Sequence, residues 1–125
     1  MKNKKQILVI DDVSTNLRFV AEVLKDTYSV SLAKSGDQAF KIMEKIVPDL
    51  ILLDVKMPEM DGFEVFEKIL ADENKKDIPV VFLTADSLEE YEEKCTLMGA
   101  KGYFRKPLSY APFVKFIDDI FSSEE

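Results

Sequence analysis

A chain of 125 residues is long enough for one domain around a single core and too short for two. Its apolar fraction of 46% and charged fraction of 33% exclude a disordered or fibrous protein, and a net charge of −7 argues against direct nucleic-acid binding, which wants a cationic surface. With no histidine there can be no Ser-His-Asp triad, no histidine base or metal ligand, and no phosphohistidine of the chain's own.

The start, Met1-Lys2-Asn3-Lys4-Lys5, leads into a strand without the longer apolar segment of a secretory signal, and no run is long enough to span a membrane. Cys95 is the sole cysteine, so there is no intrachain disulfide, which fits a cytoplasmic location. Apolar runs at Ile7–Ile10, around Tyr28–Leu32, at Leu50–Leu53, Val80–Leu83 and Lys101–Phe104 predict five strands. Between them lie helical stripes: Leu17, Val20, Ala21 and Leu24; then Ala39, Ile42, Met43 and Ile46; then Gly62, Val65, Phe66, Ile69 and Leu70. A thinner stripe, Leu88, Tyr91, Cys95 and Met98, sits on a Glu-rich fourth helix. The fifth is the richest, with Phe113, Val114, Phe116, Ile117, Ile120 and Phe121.

Ser14 is available to cap the first helix, Ser35 and Ser87 have capping-box spacing, and Gly99 is placed to end the fourth helix. Glu89-Glu90, Glu92-Glu93 and the tail Glu124-Glu125 read as solvated surface. Strands alternating with single crossover helices predict an α/β fold, one doubly wound five-stranded parallel sheet covered on both faces by five helices. The whole of 1–125 reads as one domain, with its core at about 6–121 and no effector domain inside the chain.

The carboxyl ends of parallel strands share one edge of a sheet, and ligands bind there. That edge would receive Asp11 and Asp12 after the first strand, Asp54 after the third, Thr84 after the fourth and Lys106 after the fifth. Three neighbouring carboxylates need protonation or a cation, and a hard divalent ion with oxygen ligands, Mg²⁺ above all, satisfies them while accepting phosphate oxygens. Lys106 and the Thr84 hydroxyl suit an anionic group, and aspartate is a covalent phosphoryl acceptor. The edge is suited to a metal and a phosphoryl group bonded to one aspartate.

On these residues, together with Met57-Pro58, Asp61-Gly62, Thr84-Ala85 and Lys106-Pro107, the chain resembles the receiver domain of bacterial two-component response regulators, from Ile7 to about Phe121. The resemblance implies a flavodoxin-like strand order of 2-1-3-4-5. It implies Asp54 as phosphoacceptor from a phosphohistidine of a sensor histidine kinase or a histidine phosphotransfer protein. Mg²⁺ (or Mn²⁺) would be bound by Asp11, Asp12, Asp54 and the Lys56 carbonyl. Lys106, Thr84 and the Ala85 amide would hold phosphoryl oxygens, with Lys56 beside them. Thr84 and Tyr103 would form the switch, Lys56 and Asp86 would tune phosphoryl lifetime, and Lys106-Pro107 would be a cis peptide. A phosphorylation-dependent dimer through the fourth helix, fifth strand and fifth helix is a further implication. The expected protein is no turnover enzyme on a separate substrate and has no membrane contact.

Simpler readings exist for single residues. Asp11-Asp12 could cap the first helix, Thr84 could be an ordinary strand-end hydroxyl, Tyr103 a static core residue, and Phe116 either buried or part of an interface. Two other functions compete: a phosphorylation-independent pseudo-receiver, and a Mg²⁺-dependent aspartyl phosphohydrolase. The second would want its acceptor on the first strand with another Asp two residues on, where Val13 stands. A dinucleotide site lacks its glycine-rich fingerprint.

Overall fold

The computed structural model describes residues 4–84, 89–106 and 109–123, apart from the side chains of 89–91 and 123. In chain order the elements are β1 (Gln6–Ile10), α1 (Ser14–Leu24), β2 (Ser29–Ala33), α2 (Gly36–Met43), β3 (Leu50–Asp54), α3 (Gly62–Leu70), β4 (Val80–Thr84), α4 (Glu89–Met98), β5 (Gly102–Arg105) and α5 (Tyr110–Ser123). All strand pairs are parallel, in the order β2-β1-β3-β4-β5, as the alternating pattern and the resemblance predict. No helix among the described residues is long and apolar enough to cross a membrane.

Side chains alternate across a strand, so a strand covered on both faces must be apolar throughout. Leu8, Ile10, Ile51, Leu53 and Phe82 pack toward α2, α3 and α4, meeting Ala39, Met43, Phe66, Ile69 and Cys95. Ile7, Val9, Leu50, Leu52 and Leu83 face the other way, onto Leu17, Val20 and Leu24 of α1 and Phe113 and Ile117 of α5. The continuous apolar runs are thus two interleaved half-cores.

Several local expectations shift. β2 starts at Ser29 because the Tyr28 amide still donates to Leu24 O at 2.8 Å, inside the turn that closes α1. α1 has Val13 at its N-cap with no side-chain cap, so Ser14 is the first helical residue and does not cap. Ser35 Oγ does accept from Gln38 N, but the Gln38 side chain reaches Lys34 N, one residue before the cap. A full capping box forms instead at α3, between Asp61 and Glu64. Gly99, at φ 89°, ends α4 with the paired bonds of a Schellman turn: Ala100 N to Cys95 O and Gly99 N to Thr96 O. Ser87, Leu88 and Pro107 lie outside the described residues, and the Tyr91 side chain does too.

Leu70, expected on the α3 stripe, is 37% exposed, whereas Phe63 on the same edge of the helix is buried. The difference is cover: Phe63 packs against Phe82 with tilted rings 5.1 Å apart and carries the Lys94 ammonium 4.2 Å from its ring centre. Phe116 is half-buried against Phe104 at 5.1 Å, which makes it the margin of the core. On α4, Cys95 and Met98 anchor the helix while Leu97 is 85% exposed.

Candidate functional site

The strand order changes direction between β1 and β3, and this opens the crevice into which Asp11, Asp12 and Asp54 project. Ile10 pairs with Leu53, so the residues that follow them, Asp11 and Asp54, stand side by side. Thr84 ends β4, and the Lys106 amide donates to Thr84 O at 2.7 Å, which draws the residue after β5 onto the same edge. Asp12, Asn16, Asp54, Lys56, Thr84 and Lys106 line one cavity of about 320 Å³, with Val13 at its side. Lys56 is exposed at the rim, and the Thr84 side chain is buried.

Lys106 bridges two of the carboxylates. Lys106 Nζ lies 2.9 Å from Asp11 Oδ2 and 3.1 Å from Asp54 Oδ1. Asp11 is fully buried and also turned toward its own chain: its carboxylate accepts from Val13 N at 2.9 Å and Asn16 Nδ2 at 3.2 Å. The capping reading of Asp11 does not hold, since Val13 is the N-cap and no side chain caps α1; Asp11 instead braces the loop before the helix while meeting Lys106. Asn16 escaped sequence reasoning. Its only signal was its place in the first turn of the helix after the paired aspartates.

Carboxylate oxygens of Asp11, Asp12 and Asp54 lie within 4.8 Å of one another. At an effective dielectric near 20, two ionised groups at that separation repel by about 3 kcal/mol. Burial, and then the charge of Asp11, pushes the Asp54 carboxyl up to about 6 against the pull of Lys106. For Lys106, burial alone would favour the neutral amine, but bonds to Asp11 and Asp54 outweigh it and raise the pKa. Three carboxylates still outnumber the two ammonium groups of the pocket, Lys106 between Asp11 and Asp54 and Lys56 at the rim, which leaves it short of positive charge. That deficit, and an all-oxygen donor set, fit a hard divalent ion such as Mg²⁺.

Tyr103 is set apart, half-buried against the α3–α4 side of the core. The Glu92 carboxylate beside its hydroxyl raises its pKa, and Arg105 opposes this. Ala85 and Asp86, expected at the phosphoryl group and in the tuning pair, lie outside the described residues.

Comparison with known proteins agrees with this geometry. Residues 7–118 match the family described as the response regulator receiver domain. A Vibrio cholerae protein named as a probable cyclic di-GMP phosphodiesterase is 40% identical over 82% of the chain, a stretch that makes up 23% of that relative. The polar-differentiation response regulator DivK of Brucella ovis is 30% identical over 90% of the chain and 93% of its own length. The chain thus spans about a quarter of the first relative and nearly all of the second. Among solved structures, the receiver domain of a Pseudomonas aeruginosa sensor histidine kinase superposes with a TM-score of 0.81 at 30% identity, covering 93% of this chain and 96% of that one. It was solved with a magnesium ion coordinated in its active-site cleft. The chain belongs to the response regulator receiver domain family.

Proposed function

We propose that Asp54 accepts a phosphoryl group from a phosphohistidine on a sensor histidine kinase or a histidine phosphotransfer protein, and that the modified domain then presents an altered protein-binding surface. The observation that carries this is the Lys106 ammonium bridging Asp11 and Asp54 beside an acid-lined cavity. A carboxylate oxygen of Asp54 forms the new bond to phosphorus as the bond from phosphorus to the partner's imidazole nitrogen breaks, leaving an acyl phosphate and a free imidazole. Such a transfer needs mainly positioning and charge neutralisation. Lys106 would supply a fixed cation against the incoming oxygens, and the Thr84 hydroxyl at the end of β4 would donate to them. Asp11, Asp12 and Asp54, with the Lys56 carbonyl, would hold Mg²⁺ or Mn²⁺, which supplies the missing positive charge when bound.

Because the domain is its own acceptor, it is modified once per phosphoryl group and turns over no separate substrate. Thr84 and Tyr103 are the switch pair in this reading: Thr84 moves toward the phosphoryl group, Tyr103 turns inward, and the α4–β5–α5 surface changes, with phosphorylation-dependent pairing of two copies as one consequence. α4 suits such a change, since its described side chains are anchored chiefly by Cys95 and Met98. Lys56 and Asp86 are the tuning pair. We read the chain as one receiver unit working in the cytosol, without contact to nucleic acid or membrane. Incubation with labelled acetyl phosphate or a cognate kinase tests the acceptor: wild type takes label, Asp54→Asn does not, and undiminished labelling of the variant refutes the assignment.

A further inference from the structure

The loop that follows the acceptor closes directly behind it. Gly62, the first residue of α3, donates its N–H to Val55 O at 2.8 Å. Within the loop Met60 N donates to Pro58 O at 2.8 Å, and Glu59 is held in the left-handed region at φ 67°. A Cβ at position 62 would lie 2.2 Å from Asp54 O, and 3.0 Å from both Asp54 C and Val55 Cα. All three are backbone atoms of Asp54 and Val55, so no rotamer change relieves the contact. The strand is itself pinned, with Val55 N donating to Leu83 O at 3.2 Å.

Gly62 has no positive φ, so backbone freedom is not what position 62 demands. In a helix interior alanine is favoured over glycine by about 1 kcal/mol. The property that matters at position 62 is space. Gly36 makes the contrast: a Cβ there would come 2.9 Å from Met60 Sδ and Val65 Cγ2, both side-chain atoms.

We propose that Gly62 is a positioning residue for the acceptor. Its missing side chain lets α3 seat against the Asp54–Val55 peptide, and this sets where the Asp54 carboxylate and the Lys56 carbonyl stand relative to Asp11, Asp12 and Lys106. The inference rests on the acceptor reading above. Relieving the contact requires a backbone movement of roughly 1 Å, and a misplacement of that size can slow a positioned reaction about 100-fold.

The test compares wild type, Gly62→Ala and Gly36→Ala. Fold is followed by circular dichroism and urea unfolding, Mn²⁺ affinity by electron paramagnetic resonance, and phosphoryl incorporation from acetyl phosphate at saturating Mg²⁺. Gly62→Ala is expected to fold, to bind Mn²⁺ at least threefold more weakly and to take up phosphoryl at least tenfold more slowly. Gly36→Ala is expected to stay within twofold of wild type on both counts. Wild-type behaviour of Gly62→Ala overturns the inference. So does its failure to fold, or a parallel loss in Gly36→Ala, because either marks a general packing role. If wild type itself takes no label, the acceptor reading falls, and the Mn²⁺ affinities alone decide the role of Gly62: unchanged affinity refutes it.

Discussion

Removing the charge of Asp54 is expected to stabilise the metal-free protein at neutral pH. The Asp54 carboxyl is raised from 3.8 to about 6, with burial and Asp11 as the leading causes. Two pKa units correspond to about 3 kcal/mol of preference for the neutral form. An unfolded chain releases this proton near pH 4 and the folded one near 6, so the folded state holds more protons between those values. Stability therefore falls as pH rises through that window and stays reduced above it. Asp54→Asn imitates the neutral form, and its amide oxygen can still accept from Lys106, whose other bond, to Asp11, is untouched. The assay is urea unfolding in the presence of a chelator at pH 3.5, 5 and 8. Wild type and variant should be close at pH 3.5, with the variant ahead by about 2–3 kcal/mol at pH 8. Magnesium at 100 times its dissociation constant should return about 3 kcal/mol to wild type and little to the variant. A variant less stable than wild type at pH 8, or a difference that does not change with pH, would refute the reasoning.

Other expectations follow from single contacts. Lys106→Met leaves buried Asp11 and Asp54 without their cation and should cost about 3–5 kcal/mol near neutral pH, read by urea unfolding, with a smaller loss in acid. Glu59→Gly relieves a left-handed backbone at φ 67° and should gain about 1 kcal/mol, visible as a rise of about 4 °C in Tm. Tyr28→Phe removes a hydroxyl that donates to Asp118 at 2.5 Å, at a cost of about 1–2 kcal/mol. Because that hydroxyl's pKa is raised, wild type should lose part of this advantage above pH 10, and unfolding of the two proteins at pH 8 and 11 checks it. Leu97→Lys alters an 85% exposed side chain and should leave Tm within about 2 °C of wild type.

Much of the site was legible because parallel strands send their carboxyl ends to one edge. Once Leu50–Leu53 is read as a buried strand, Asp54 has only one place to go, and Asp11, Asp12, Thr84 and Lys106 follow by the same rule. What the linear pattern could not separate was a residue's two simultaneous duties. Asp11 was weighed as a cap or as a site residue, and it caps no helix N–H: its carboxylate braces the loop before α1 through Val13 and Asn16 while meeting Lys106. Periodicity likewise put Leu70 on the α3 stripe and left Phe63 out, but Phe63 is the one that is covered, by Phe82 and Lys94 brought there from β4 and α4.

The order of apolar runs, the spacing of stripes and the residues that end each strand were determined by the sequence itself, because hydrophobic period and strand direction are local properties. Distances across the pocket were not. The Lys106 bridge spans 95 residues to Asp11 and 52 to Asp54. The space that Gly62 leaves for the Asp54 carbonyl exists only once α3 is docked against β3. Contacts of that kind depend on how whole elements pack, and only the tertiary structure decided them.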